Sequence, residues 1–138
     1  MAGKILAEKM KLRSGMRAAV VKAPDNFRKE LSAPRDLELG NTLDAGPFDW
    51  LQIFILNSRE LKTLSPKIKT ALSPTGLVWL TFPKGTSGTQ TDLTRDAGWE
   101  PLQPLDLKWV TLVSVNETWS AFAMRPYKKG EKKQTFRL

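Results

Sequence analysis

Three runs of the chain are apolar with almost no polar alternation: MRAAVVK at 16–22, DWLQIFIL at 49–56 and LVWLTF at 77–82. A strand that buries one face alternates, whereas a strand covered on both faces does not. Between the second and third runs, Leu61, Leu64, Ile68 and Leu72 recur at steps of three and four, the single apolar stripe of a helix. Lys62, Lys67 and Lys69 fall elsewhere on that wheel. Strand, helix, strand, with each strand apolar on both faces, predicts a three-layer, Rossmann-like α/β fold around a mainly parallel sheet of about six strands.

The remaining segments complete this plan. Ile5 to Leu12 has helical character and stops at Ser14-Gly15. Asp25 can cap a helix through Asn26 to Leu31, and Leu37 to Leu39 forms a short strand closed by Gly40-Asn41. Pro66 kinks or restarts the long helix, and Ser73-Pro74-Thr75-Gly76 turns the chain into the next strand. After Pro83 the composition becomes small and polar, KGTSGTQTDLT, followed by a short helix from Asp92 to Ala97 that Gly98 and Pro101 end. Leu107 to Val115 and Trp119 to Met124, joined only by Asn116-Glu117-Thr118, predict an antiparallel hairpin at one edge. The expected strand order is 2-1-3-4-6-5, with the strand at Trp50 central. Residues 1–124 form one domain in this reading, and 125–138 a basic C-terminal tail. The five Trp residues are core material.

Composition removes several kinds of chemistry. With no cysteine and no histidine, the common zinc sites, a thiol nucleophile and a Ser-His-Asp triad lack their groups, and no catalytic motif stands in their place. The net charge of +8 suggests a nucleic-acid partner until its distribution is read. Residues 1–24 carry +5, residues 125–138 carry +5, and everything between carries −2. The excess sits at the ends, as solvated tails or as a weak nucleic-acid contact through the termini. No stretch reaches the ~18 consecutive apolar residues of a spanning helix, and Lys4, Glu8, Lys9 and Lys11 interrupt any signal-peptide core. The expectation is a cytoplasmic protein without membrane contact. Its oligomeric state stays open.

The order of elements around DWLQIFILNSRELKTLSPKIKTALSPTGLVWLTFP, with a closing hairpin, resembles a class I S-adenosylmethionine methyltransferase domain cut short. In that fold an Asp-led apolar strand precedes a helix that ends in a Leu-x-Pro-Gly-Gly type turn. Leu72-Ser73-Pro74-Thr75-Gly76 stands at that turn here. G-M-R at 15–17, S-P-x-G-x-x-W at 73–79, P-K-x-x-S-G-x-x-T-D-L-T at 83–94 and N-E-T-W-S at 116–120 also resemble a small bacterial family of single-domain proteins with no established reaction. The methyltransferase resemblance implies a Gly-rich turn after the first strand, but this chain runs into Lys22-Ala23-Pro24-Asp25-Asn26 without a glycine. That departure counts against S-adenosylmethionine as the cofactor. Glu38 stands where the resemblance puts a ribose-binding acid.

Ligands of open parallel sheets bind outside the C-terminal strand ends. Three segments are expected to meet there: Ala23 to Phe27, Asn57 to Arg59 and Pro83 to Asp92. Lys84 supplies a cation, Ser87 and Thr91 supply hydroxyls, and Asn57, Ser58 and Asp92 stand beside helix starts, together a cradle for a small anionic ligand. Each also has an ordinary reading as a cap or loop residue. Glu117 in the hairpin turn could orient Lys84 or a ligand hydroxyl. The leading expectation is a non-catalytic binding or regulatory domain for such an anion. The alternatives are a small S-adenosylmethionine-dependent methyltransferase, and an accessory protein of a nucleic-acid assembly held by its basic termini.

Overall fold

The computed structural model describes residues 5–84, 92–93 and 98–132. In chain order the elements are α1 (Leu6–Lys9), β1 (Ala18–Val21), α2 (Phe27–Leu31), β2 (Leu39–Gly40), β3 (Phe48–Phe54), α3 (Ser58–Ala71), β4 (Leu72–Pro83), β5 (Leu107–Ser114) and β6 (Trp119–Pro126). Short 3-10 helices at Leu43–Ala45 and Glu100–Leu105, not foreseen from the sequence, pack against α3. The six strands lie in the order β2-β1-β3-β4-β6-β5. β2, β1, β3 and β4 run parallel, and β6 pairs antiparallel to both β4 and β5. This is the expected α/β architecture, with the expected order.

The unbroken apolar runs explain the layering. Alternate residues of each strand go to opposite faces. Ala19, Val21, Leu51, Ile53, Val78, Leu80 and Phe122 meet Leu61 and Ile68 of α3 on one face. Ala18, Val20, Trp50, Phe54, Trp79 and Ala121 meet Ala7 and Met10 at α1 and Phe27 and Leu31 of α2 on the other. The Met10 carbonyl accepts a hydrogen bond from Trp50 Nε1 at 2.8 Å and another from Trp79 Nε1 at 2.9 Å. Two indoles from neighbouring central strands thus seat the N-terminal segment on the sheet.

Several boundaries differ from expectation. Pro66 does not restart α3, which runs unbroken from Ser58 to Ala71. The proline lacks the N–H that Lys62's carbonyl would accept, and Ser65 Oγ donates to that carbonyl instead, at 3.2 Å. Ser73 to Gly76 is not a separate turn but the first part of β4. The pairing of β3 with β4 slips between Phe48 and Trp50. A Cβ on Gly76 would stand 2.8 Å from the Phe48 carbonyl oxygen, so only glycine allows that approach. The tail boundary at 124 falls too early, because β6 continues through Pro126 and Glu131 returns to clasp Arg125 and Lys108. The helix expected from Asp92 to Ala97 lies mostly outside the described residues. Among the described residues, no helix is long and apolar enough to cross a membrane.

Candidate functional site

The C-terminal ends of β1, β3 and β4 and the β5–β6 turn share one edge of the sheet, because Pro83 pairs with Trp119 at the start of β6. At this edge the described candidate residues fall into two groups.

The first group surrounds the turn after β1. Lys22 and Asn26 both adopt the left-handed backbone conformation, with φ of 61° and 67°. That region favours glycine, so the chain makes its turn here on residues that carry side chains. Opposite it, Asn57 Oδ1 accepts the Glu60 backbone N–H at 2.9 Å and caps α3. Lys22 Nζ lies 3.7 Å from Glu60 Oε1. Lys22, Asn57, Arg59, Glu60, Thr63 and Leu64 line an open cleft of about 350 Å3. Of these, only Asn57 and Arg59 lay within the sequence-predicted segments. Lys22 and Glu60 carried no local signal, since their pairing depends on how β1 and α3 lie across the sheet.

Ser58 and Asp92 are brought together, but as partners of each other. The Asp92 carboxylate accepts the Ser58 backbone N–H at 2.8 Å and also the Ser58 hydroxyl. The hydroxyl first, and the backbone N–H second, hold the Asp92 carboxyl below its ordinary value. The start of α3 therefore receives its negative charge from within the chain.

The second group lies at the β5–β6 turn. Lys84 donates its backbone N–H to the Thr118 carbonyl at 2.8 Å and its ammonium to Ser114 Oγ at 2.6 Å. Lys9 Nζ reaches the Ser114 carbonyl at 2.8 Å. Asn116 Oδ1 accepts the backbone N–H groups of Thr118 and Trp119, and its Nδ2 donates to Glu30 Oε1 at 2.8 Å. The hairpin tip is thereby tied to α2. Glu117 is exposed at this tip, and Ser114 Oγ accepts from the Lys84 ammonium. Ser87 and Thr91 lie outside the described residues.

Glu38 is not at the end of β2. The strand begins one residue later, at Leu39, so Glu38 faces the opposite edge. There it lines a larger cleft of about 540 Å3 with Arg17, Asp36, Gly40 and Phe48. The position expected for an acid is taken by Arg28, whose guanidinium donates to the Leu39 and Gly40 carbonyls, both at 3.0 Å. Among the described residues, no group of three or more Asp and Glu is placed to hold a metal ion.

No protein-family model matches the chain, and no curated protein sequence matches it. Solved structures do. The B. subtilis M1A22 tRNA methyltransferase TrmK aligns with a TM-score of 0.54 at 11% identity, over 94% of this chain and 68% of that one. A SAM-dependent methyltransferase from Aquifex aeolicus aligns with a TM-score of 0.53 at 11% identity, over 85% of each chain. PigF, solved with SAH, aligns with a TM-score of 0.55 at 7% identity, over 91% of this chain and 62% of that one. The fold is that of the class I, Rossmann-like methyltransferases. These likenesses overturn the argument against S-adenosylmethionine, because the fold falls among proteins that use or bind this cofactor pair. The physical error lay in equating a missing glycine with a missing turn: Lys22 and Asn26 adopt the left-handed backbone without one.

Proposed function

We propose that the protein binds S-adenosylmethionine at the C-terminal edge of the sheet, in the cleft between the turn after β1 and the start of α3, and is a small methyltransferase. The left-handed turn at Lys22 carries this reading, since it folds the chain back beside the cleft as a glycine-rich turn does. The likeness of the fold to SAM-dependent methyltransferases supports it. The cleft falls in the range of about 300–1,000 Å3 usual for small-molecule sites.

The residues present fit such a ligand. The Glu60 carboxylate can accept hydrogen bonds from a ribose diol, the role an acid plays in dinucleotide-binding folds. Asp25 lies exposed in the turn itself. Lys22, exposed over half of its side chain, lies against Glu60 and can swing out to a carboxylate ligand group. Bound there, the cofactor would supply an activated methyl group.

Equilibrium dialysis of the full chain against labelled S-adenosylmethionine tests the reading. Saturable uptake is expected, competed by S-adenosylhomocysteine and weakened about tenfold in Glu60→Gln, the loss of one charge-assisted hydrogen bond. No uptake at millimolar cofactor removes the proposal.

A further inference from the structure

Charge is sorted by element inside the folded domain. Helix α3 carries four cations, Arg59, Lys62, Lys67 and Lys69, against one acid, Glu60, while the rest of residues 25–124 carries −5. All four cations are exposed. Glu60 is taken by Lys22 at 3.7 Å. Among the described residues none of the four makes an ion pair, although Asp44, Glu100 and Asp106 stand on or beside the 3-10 helices packed against α3. Arg59, Lys62, Pro66 and Lys69 follow one another at steps of three, four and three, which makes one row along the outer face. At the rise of an α-helix this row spans about 15 Å. It begins at the cleft, whose lining includes Arg59 and Thr63. The Thr63 and Thr70 hydroxyls beside the row donate to the helix's own carbonyls, those of Arg59 at 3.1 Å and Lys67 at 3.2 Å.

We propose that the outer face of α3 is a docking surface for the phosphate backbone of a single-stranded nucleic acid. The docking rests on the charge of α3; the choice of a single strand rests on the methyltransferase reading, because chemistry on a base needs that base out of a duplex stack. A nucleic-acid strand repeats its negative charge at a short, regular interval, so several phosphates meet the row at once and release their counterions. With its hydroxyls turned to its own backbone, the row positions a strand and reads no bases. A lipid surface fits this face poorly. A helix that lies in a membrane interface buries an apolar side there, whereas the apolar stripe of α3, Leu61 and Ile68, is buried against the sheet. A strand lying along the row is led to the cleft at its head, where it would meet the methyl donor.

Fluorescence anisotropy of the full chain with labelled ten-residue oligouridine and oligothymidine tests the proposal, with a hairpin duplex, a decaglutamate peptide and phosphatidylserine vesicles as competitors. Both single strands are expected to bind with an affinity that falls with salt. Lys62→Gln/Lys69→Gln is expected to weaken binding about tenfold at about 0.15 M salt and to flatten the slope of log affinity against log salt by about 1.4, at about 0.7 for each phosphate contact on a single strand. Lys128→Gln/Lys129→Gln removes the same charge from the C-terminal segment and is expected to change neither. Full affinity in a folded Lys62→Gln/Lys69→Gln variant, or an equal loss in the C-terminal control, overturns the surface. Tighter binding of the duplex overturns the choice of a single strand, and equal competition by decaglutamate or by vesicles gives the face to an acidic protein or a membrane instead. Uptake of S-adenosylmethionine by the same α3 variant is expected to match that of the intact chain, so loss of docking and failure of the adenosyl cleft are read separately.

Discussion

Met10 offers one carbonyl oxygen to two indoles, and the oxygen's two lone pairs are thereby both used. Trp50 and Trp79 are fully buried, so neither N–H has water as an alternative partner. Replacing one indole by Phe leaves the carbonyl satisfied by the other. Trp50→Phe or Trp79→Phe alone is expected to cost about 1–2 kcal/mol, and the double variant about 1 kcal/mol more than their sum, because only then is a buried carbonyl orphaned. Urea denaturation of the four proteins measures that coupling. Asp92 makes a pH-dependent contact of another kind. Its carboxyl titrates lower in the folded chain than in the unfolded one, through the Ser58 hydroxyl and N–H. Its contribution to stability is therefore complete above the unfolded value near pH 3.9 and is lost as pH falls through the lower folded value. Ser58→Ala should raise the Asp92 titration midpoint, read by NMR, and move the loss of this contribution to higher pH.

Among the elements, α3 shows where pattern reading succeeds and where it stops. Its stripe of Leu61, Leu64 and Ile68 named the buried face correctly, since Leu61 and Ile68 are fully buried against the sheet. Pro66 does not restart the helix, and its effect depends on a neighbour's side chain. With Ser65 Oγ on the Lys62 carbonyl, the missing amide bond has a substitute within the same turn. Ser65→Ala is expected to destabilise by about 1 kcal/mol, and by close to nothing in a Pro66→Ala background, where residue 66 regains an N–H for Lys62. A thermal or urea double-mutant cycle reads the difference. Hairpin β5–β6 was legible from its three-residue connection, and that connection also fixed which strand turns antiparallel. The slip between β3 and β4 was not, because it follows from the close approach of Gly76 to Phe48, residues 28 apart in sequence.

At the scale of the whole molecule, the sheet order could be read because each apolar run states its own environment. The site could not, because its contacts join distant segments. Lys9 meets Ser114 across 105 positions, and Ser58 meets Asp92 across 34. Net charge by segment misled in a similar way, since it treated both ends as tails. Arg125 instead makes a two-pronged contact with Glu131 at 2.9 and 2.8 Å, and Lys108 joins the same carboxylate at 2.7 Å. The hydrogen bond from Arg125 first, then that from Lys108, holds the Glu131 carboxyl well below the usual carboxylate range. Deleting residues 127–138 is therefore expected to lower the melting temperature at neutral pH, with Glu131→Gln reproducing part of the loss. The gap to the intact chain should narrow once pH falls through the depressed folded value of Glu131. A deletion that leaves melting unchanged at neutral pH would return this segment to the status of a tail.

The shared Met10 carbonyl also gives the protein an optical gauge. Indole emission responds to what its N–H touches, so any event that lifts α1 frees Trp50 and Trp79 together while the sheet's amide signal persists. Displacement of this segment should therefore register as a change in tryptophan fluorescence without an added label.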